Sequence, residues 1–151
     1  INNINLKDIN ANSIRATCSF IEQKPAFIRG TILEHIMYNF KKMDIKKAKE
    51  AAILANAHKF IMKLSNNYYY SLGESGIGLS VGQLQRLDIA RGIASNKKIM
   101  ILDEPTSNLD EKNTVEVLLT LKKINKYKNT TIILITHDTN VLKYCDNVIK
   151  M

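Results

Sequence analysis

Residues 99–105 read IMILDEP, four apolar residues followed by two carboxylates and a proline. An apolar run without polar alternation predicts a strand that is buried on both faces, as in a parallel sheet. A similar run, TIILIT, occupies residues 131–136, and residues 114–124 between the two have helical character. Strands that alternate with helices indicate an α/β layer fold, in which ligand sites lie at the carboxyl ends of the strands.

Asp103 and Glu104 therefore stand where such a fold places its ligand. A strand holds Asp103 rigidly, and a carboxylate is the hard oxygen ligand that a phosphate-bound magnesium ion requires. Glu104 points in another direction and is suited to polarising a water that attacks a terminal phosphate. Pro105 keeps Glu104 out of helical geometry and ends the strand. A strand that merely ends in an acidic turn explains the same letters, so this motif needs support from others.

The rest of the chain gives a coarse map of further elements. The predicted strands are residues 4–9, 16–21 and 147–151, with a turn that includes Asn12 between the first two; the predicted helices are residues 31–38, 45–64, 80–94 and 140–144; and residues 66–78 form a loop. The helices before residue 95 interrupt the alternation of strands and helices. We therefore expect one domain with an α/β core, residues 1–23 and 96–151, and an inserted helical subdomain, residues 24–95.

Composition restricts the class of protein. The 151 residues are 45% apolar, which is enough for a hydrophobic core. The apolar runs are far shorter than the roughly 18 residues of a membrane-spanning helix, and the N-terminus lacks the pattern of a secretory signal. Cys18 and Cys145 lie outside any metal-ligand spacing, so we expect reduced thiols in the cytosol. The net charge of +8 is compatible with nucleic acid, anionic lipid or nucleotide, but a solvated lysine-rich surface is the simpler explanation.

A second motif, LSVGQLQR, covers residues 79–86. Ser80 and Gln83 have the spacing of a capping box, which predicts that Ser80 is the N-cap of a helix. The unpaired amides of a helix N-terminus, a serine hydroxyl and the open backbone of Gly82 together favour phosphate binding. A simple helix start would explain Ser80 and Gln83, but not a glycine at a position where it costs helix stability.

These motifs together resemble the nucleotide-binding domain of ATP-binding cassette (ABC) transporters. Residues 79–83 are similar to its LSGGQ signature, with Val81 in place of the first glycine. The other matching segments are residues 99–104 as the Walker B strand with its catalytic glutamate, residues 107–110 as the D-loop, His137 as the switch histidine, and Gln23 as the Q-loop glutamine. Five motifs in the family order are far more specific than any one of them.

Three shorter stretches resemble the exporter branch of that family. Residues 27–36 are similar to the pattern F-x-G-T-I-x-E-N-I, with His35 where asparagine is usual. Residues 57–61 and 73–76 also match, and the latter resemble the exporter-specific loop that touches the transmembrane domain. The resemblance implies an α/β fold: an incomplete P-loop NTPase (RecA-like) parallel sheet with an inserted α-helical signature subdomain.

One family motif has no counterpart in this sequence. The pattern G-x-x-x-x-G-K-[ST] does not occur, since none of the six glycines precedes a lysine. In the family this Walker A loop lies upstream of the Q-loop glutamine, so we expect the chain to be a segment of a longer polypeptide. The loop provides most of the grip on the β- and γ-phosphates. The segment alone is therefore expected to bind ATP weakly and to hydrolyse little.

The resemblance implies ATP and Mg²⁺ as ligands and a role for each matched residue. Glu104 is the expected general base, and His137 is the expected contact to the γ-phosphate. Asp103 and Gln23 are expected to face the magnesium ion, and Gln23 also to sense the transmembrane partner. The residues expected to contact nucleotide are Ser80, Gly82, Gln83 and Asp110. The expected partners are a second nucleotide-binding domain and the transmembrane domain of an exporter, at the cytosolic face of a membrane.

Two other functions stay open at this point. A nucleic-acid-associated ABC-type ATPase would share the motifs and use the charge of +8, but the exporter-like stretches speak against it and no nucleic acid is expected as a partner. Tight, salt-dependent DNA binding in a filter assay would favour it. A non-catalytic interaction fragment is compatible with the missing lysine loop. His58 and the tyrosines at 68–70 are interpreted as packing residues rather than ligands.

Overall fold

The computed structural model describes residues 5–25, 29–73, 78–107 and 109–150. The elements along the chain are α1 (Ala11–Thr17), β1 (Cys18–Ile21), β2 (Gly30–Thr31), α2 (Ile32–Ile36), α3 (Ile45–Leu54), α4 (His58–Ile61), β3 (Ser71–Leu72), α5 (Val81–Ala94), β4 (Ile99–Asp103), α6 (Glu111–Lys128) and β5 (Thr131–Ile135). Short 3₁₀ helices cover Leu6–Asp8, Asn67–Tyr69 and Thr139–Tyr144.

A parallel sheet of three strands, in the order β1-β4-β5, forms the centre of the fold. Leu102 of β4 lies beside Ile21 on one side and beside Leu134 on the other. The strands that carry the apolar runs 99–102 and 132–135 are therefore neighbours in a parallel sheet, and the predicted α/β fold class is confirmed. Because the strands are parallel, their carboxyl ends meet at one edge of the sheet.

One face of this sheet is packed against helices, and the other is open in the described part of the chain. On the packed face, Met100 and Leu102 are buried. A Cβ added to Gly92 of α5 would lie 3.0 Å from Met100 Cε and 3.2 Å from Ile21 Cδ1, so this helix lies directly on the strands. On the open face, the exposed apolar side chains are Phe20, Ile133 and Ile135.

Four helices, α2 to α5, follow β1 and precede β4 in the chain. The small residues Ala48, Ala51 and Ala52 of α3 are buried, which allows α3 and α5 to approach closely. A capping box formed by Thr31 and Glu34 begins α2, one residue later than the predicted start. The short antiparallel pair of β2 and β3 lies beside it. The proposed subdomain limits, residues 24 and 95, stay a prediction.

The predicted packing of His58 and Tyr68 agrees with the structure. The side chain of Tyr68 is buried, and its hydroxyl lies 2.8 Å from Nδ1 of His58. Burial raises the pKa of Tyr68 to about 12, so the phenol keeps its proton and donates to the imidazole. Tyr69, in contrast, is exposed. Cys18 and Cys145 are both free thiols.

The amino-terminal prediction is wrong over the residues that the structure describes. Residues 6–8 form a 3₁₀ turn instead of a strand, and residues 1–4 lie outside the described part. Asn12 is not in a turn but in α1, because the side chain of Asn10 accepts a hydrogen bond from Asn12 N at 2.8 Å and caps this helix. The helix takes Ala16 and Thr17 from the predicted strand, and β1 begins at Cys18.

Three further boundaries differ from the prediction. The helix predicted over 45–64 is divided, because Asn56 has a left-handed backbone with φ of +56° that ends α3 before α4 begins. Helix α6 is longer than predicted, since its N-cap is Asp110. Residues 147–150 form no strand, because no other described segment pairs with them, and Met151 lies outside the described residues.

None of the helices that the structure describes combines the length and the apolar character needed to cross a bilayer.

Candidate functional site

The carboxylate of Glu104 and the imidazole of His137 meet at the tip of the sheet. Glu104 follows β4, and its backbone N–H donates to the carbonyl of Ile135 at 2.9 Å, which continues the pairing with β5 by one residue. Glu104 Oε1 accepts a hydrogen bond from the backbone N of His137 at 2.9 Å and lies 2.6 Å from His137 Nδ1. The hydroxyl of Thr136 donates to Oε2 at 3.2 Å. Three donors from the segment after β5 thus hold one carboxylate.

The contact indicates which ring nitrogen of His137 carries the proton that faces Glu104. An ionised carboxylate only accepts hydrogen bonds, so Nδ1 of His137 carries the proton that faces Glu104. The side chain of His137 is 85% exposed, whereas that of Glu104 is only 15% exposed. The Nε2 atom of the exposed ring is therefore accessible to a ligand at the tip of the sheet. Glu104 is fixed by its hydrogen bonds to Thr136 and His137.

Glu104 has an unusual backbone conformation. Its φ is +43°, in the left-handed region that residues other than glycine rarely adopt. Pro105 disfavours the right-handed helical region for the residue before it, in agreement with the sequence-based expectation. Such a conformation costs on the order of 1–3 kcal/mol and persists only where the surroundings hold it. The hydrogen bonds of Glu104 to the segment after β5 provide that restraint.

Asp103 and Gln23 lie at the same edge of the sheet. Asp103 ends β4 and is half-buried, and its carboxylate has no hydrogen bond or ion pair to another described residue. Gln23 comes two residues after β1, and its Nε2 donates to Ser107 Oγ at 3.4 Å. That hydroxyl in turn donates to the backbone carbonyl of Glu104 at 3.1 Å. Gln23 is therefore joined to the turn that carries Glu104.

These two side chains fit a magnesium ion, although they do not enclose one. No group of three or more His, Cys, Asp or Glu side chains with metal-binding geometry occurs in the part of the chain that the structure describes. Magnesium does not need such a cage, because it keeps several waters and binds one or two carboxylates together with the phosphates of a nucleotide. The unpaired carboxylate of Asp103 and the amide oxygen of Gln23 are suitable oxygen donors for that arrangement.

The second predicted group lies at the start of α5. Ser80 Oγ accepts a hydrogen bond from Gln83 N at 3.3 Å, and Gln83 Oε1 accepts one from Ser80 N at 2.9 Å. The predicted capping box is therefore present, and the prediction that Ser80 is the N-cap is confirmed. Ser80 is exposed and keeps a hydroxyl proton to donate, whereas the carbonyl of Gln83 is engaged by the cap.

Asp110 has a local role in addition to the predicted one. As the N-cap of α6, it accepts hydrogen bonds from the backbone N of Asn113 at 2.9 Å and from its Nδ2 at 2.7 Å. The bond from the Asn113 backbone, followed by the one from its side chain, lowers the pKa of Asp110. A Cβ on Gly82 would lie 3.2 Å from Leu109 Cδ2, so the starts of α5 and α6 are adjacent.

The predicted residues thus form two groups. The sheet-tip group contains Gln23, Asp103, Glu104 and His137, and the helix-start group contains Ser80, Gly82, Gln83 and Asp110. No hydrogen bond or ion pair between described residues joins the two groups. The roles of all eight toward nucleotide stay predictions, and Asn108 of the D-loop lies outside the described residues.

Sequence reasoning missed several residues that support these groups. Ser107 and Thr136 bind the glutamate turn, and Arg86 links α5 to α6 through Asn113 Oδ1 at 3.3 Å and Glu116 Oε2 at 2.8 Å. The sequence does contain a signal for Thr136, because it is a polar residue that directly follows an apolar strand and precedes the candidate histidine. No comparable local signal marks Arg86, because its partners come from another helix.

Comparison with known proteins identifies the family. The family model for the ABC transporter matches residues 1–107. The chain belongs to the ABC transporter family. This membership makes it part of an ATP-binding transporter domain, and the parallel sheet is consistent with a partial P-loop NTPase fold.

Several curated relatives match almost the whole chain. ABC transporter B family member 17 of Arabidopsis thaliana is 37% identical over 148 residues, which are 97% of this chain and 12% of that protein. ABC transporter B family member 2 of Dictyostelium discoideum is 38% identical over 88% of this chain and 10% of its own length. The uncharacterized ABC transporter ATP-binding protein y4gM of Sinorhizobium fredii is 36% identical over 97% of this chain and 25% of its own length. The chain therefore spans a quarter or less of these relatives.

Proposed function

We propose that the chain is part of the ATP-hydrolysing domain of an ABC exporter, in which hydrolysis drives transport across a membrane. The observation that carries this proposal is the contact between Glu104 and His137, in which a held carboxylate and an exposed imidazole stand together at the tip of a parallel sheet. Attack of water on a terminal phosphate requires a carboxylate that takes the proton of the water and a nearby group that contacts the phosphate oxygens. Glu104 and His137 supply these two groups in this proposal.

Glu104 acts as the general base in this proposal. Its Oε1 is occupied by His137 and its Oε2 accepts one hydrogen bond from Thr136. A carboxylate has about four lone-pair positions, so Oε2 can also accept the proton of a water. The water would then attack the γ-phosphate in line, and His137 Nε2, which the contact with Glu104 leaves unused, would donate or accept at the phosphate oxygens.

The cation side of the site belongs to Asp103 and Gln23 in this proposal. Mg²⁺ would neutralise charge on the phosphate oxygens as the bond to the leaving group breaks. Asp103 would hold it through its unpaired carboxylate, and Gln23 would link it to the turn of Glu104 through Ser107. Through this link, the position of Gln23 would change with the occupancy of the magnesium site, and a transmembrane partner in contact with Gln23 would respond to that change.

The helix-start group serves a second nucleotide in this proposal. The Ser80 hydroxyl and the first amides of α5 carry partial positive charge that suits the γ-phosphate of ATP bound by a second nucleotide-binding domain. Asp110 and Gln83 would stabilise the loop and the helix start that face this nucleotide.

The exporter assignment is supported by the B family relatives and by the exporter-like stretches. Part of those stretches, residues 27–28 and 74–76, lies outside the described residues. The transmembrane domain, the second nucleotide-binding domain and a place at the cytosolic face of a membrane belong to this proposal.

The test uses the full-length protein that carries this chain. We expect Glu104→Gln to lower the ATPase rate by at least about 10²-fold, the usual contribution of a general base. Glu111→Gln is the matched control, because Glu111 is an exposed glutamate in the first turn of α6. Wild-type turnover in Glu104→Gln would contradict the proposal and favour a non-catalytic role.

A further inference from the structure

A buried polar cluster lies between α2 and α5, apart from both groups of site residues. The side chains of His35 and Asp88 are 1% and 0% exposed, and His35 Nε2 lies 3.1 Å from Asp88 Oδ1. The Nη2 atom of Arg91 donates to the same oxygen at 2.9 Å. A buried carboxylate is costly unless it is paired, so these two partners are what keep Asp88 inside the protein.

The two nitrogens of the His35 ring have different surroundings. Asp88 Oδ1 accepts from Arg91 and faces His35 Nε2, so the ring nitrogen that carries the proton in this contact is Nε2. Nδ1 of His35 is buried and has no hydrogen-bond partner among the described residues. An unsatisfied buried polar atom destabilises the folded protein. Apolar side chains of the same volume would often be equally stable, so stability alone gives little reason for this arrangement.

The cluster restrains how α5 can move. Apolar contacts between helices tolerate sliding and rotation, but a hydrogen bond of 3.1 Å to a single oxygen does not. Helix α2 is itself fixed, because Ile32 and Ile36 are fully buried and Thr31 caps its start. Asp88 lies eight residues after Ser80, which is about 12 Å along the helix axis. Rotation of α5 that moved Ser80 would therefore break the bond to His35.

We propose that His35 is a positioning residue for ATP hydrolysis. Through Asp88 it holds α5 in the rotation that presents Ser80 and Gly82 to the nucleotide. This inference rests on the proposed function. It states that the helix-start group is held in position by His35, a residue outside the signature motif.

The test compares His35 variants in the full-length protein. Glutamine places its Nε2 near the position of the imidazole Nε2, whereas asparagine reaches only to the position of Nδ1, and leucine fills the space without a donor. We expect His35→Leu and His35→Asn to lower kcat for ATP about tenfold with little change in KM, because the contacts of α5 act on closure rather than on initial binding. His35→Gln is expected to keep at least about half of the wild-type kcat.

Two controls separate positioning from folding. His58→Leu removes a histidine of the same helical region that is bonded to Tyr68 instead of α5, and we expect its kcat to stay at the wild-type level. The effects of His35→Leu and Asp88→Asn are expected to be non-additive on kcat, because both break the same bond.

The outcomes distinguish this inference from the proposed function. If Glu104→Gln hydrolyses ATP normally, the proposed function itself fails. If Glu104→Gln is inactive but His35→Leu turns over like the wild type per folded molecule, only the positioning role is wrong. Equal kcat values for His35→Gln and His35→Asn would also overturn it, since both variants retain a polar amide and differ in reach.

Discussion

Asp110 is held by two hydrogen bonds from one residue, and this local arrangement changes its acidity. The backbone of Asn113 and then its side chain stabilise the ionised carboxylate, so its pKa lies below the ordinary 3.8. Glu34 is similar, because the backbone and then the hydroxyl of Thr31 lower its pKa. In both cases hydrogen bonds between the N-cap residue and the residue three positions later produce the shift.

The pH dependence of stability follows from the sign of this shift. Because the folded pKa of Asp110 is lowered, the unfolded chain takes up a proton first as the pH falls. The contribution of Asp110 is complete above its unfolded value of 3.8 and is lost as the pH falls through the lower folded pKa. We expect Asp110→Asn, which can still cap the helix, to lose less stability than the wild type below pH 3.8. Urea unfolding of the chain at several pH values, followed by circular dichroism, measures this difference, and parallel curves would contradict it.

Helix α5 combines two surfaces that use glycine for different reasons. Gly92 allows the helix to lie against Met100 and Ile21, where a Cβ would be 3.0 and 3.2 Å from their side-chain carbons. Gly82 lies in the first turn, where a Cβ would press only against the flexible Leu109 and more loosely on Asn113. The same helix is therefore packed tightly on the sheet at one end, whereas at the other end the buried Gly82 lies against the start of α6.

Alanine at these two positions should separate stability from activity. We expect Gly92→Ala to destabilise the fold by about 1–3 kcal/mol, because it overpacks the core beneath the sheet. Gly82→Ala is expected to change the free energy of unfolding by less than about 1 kcal/mol, since the gain in helix propensity offsets the pressure on Leu109. Its ATPase rate in the full-length protein should nevertheless fall, because the added methyl presses on Leu109 and Asn113 and shifts the start of α5 relative to that of α6. Equal stability of the two variants would show that the packing argument is wrong.

On the scale of the whole molecule, the open face of the sheet is an exposed apolar surface in the described residues of the α/β part. Phe20, Ile133 and Ile135 are 53%, 45% and 42% exposed, and the strand register places Phe20, Ile101 and Ile133 in one row. Parallel sheets are normally covered on both faces. The net charge of +8 opposes association of chains through this face.

The chain by itself is expected to associate through this face. Because salt screens the repulsion between positive chains, association should increase with ionic strength. Light scattering of the chain at two salt concentrations measures it. Replacement of Phe20 and Ile133 by threonine, which favours strands, should reduce the scattering, whereas Leu119→Gln on the exposed side of α6 serves as the control. A chain that stays monomeric at high salt would contradict this expectation.

The sequence determined those features that depend on neighbours within a few residues. The capping box of Ser80 and Gln83 is correct because both hydrogen bonds close within one helical turn. Strand β4 matches its predicted span because four apolar residues and a proline define both ends. The predicted strand is wrong over residues 5–9, since their alternation resembles a strand while the side chain of Asn10 caps a helix. The hydrogen bond that the side chain of Asn10 accepts from Asn12 N outweighs a weak hydrophobic pattern.

Only the tertiary structure decided which distant residues meet. Glu104 and His137 are 33 positions apart, and their 2.6 Å contact exists because β4 and β5 are parallel neighbours in one register. His35 and Asp88 are 53 positions apart, and no pattern in either helix indicates that they are paired in the interior. Sequence patterns report the local preferences of the backbone and the burial of each face, whereas the pairing of polar groups across elements depends on strand register and helix packing, which act between segments distant in the chain.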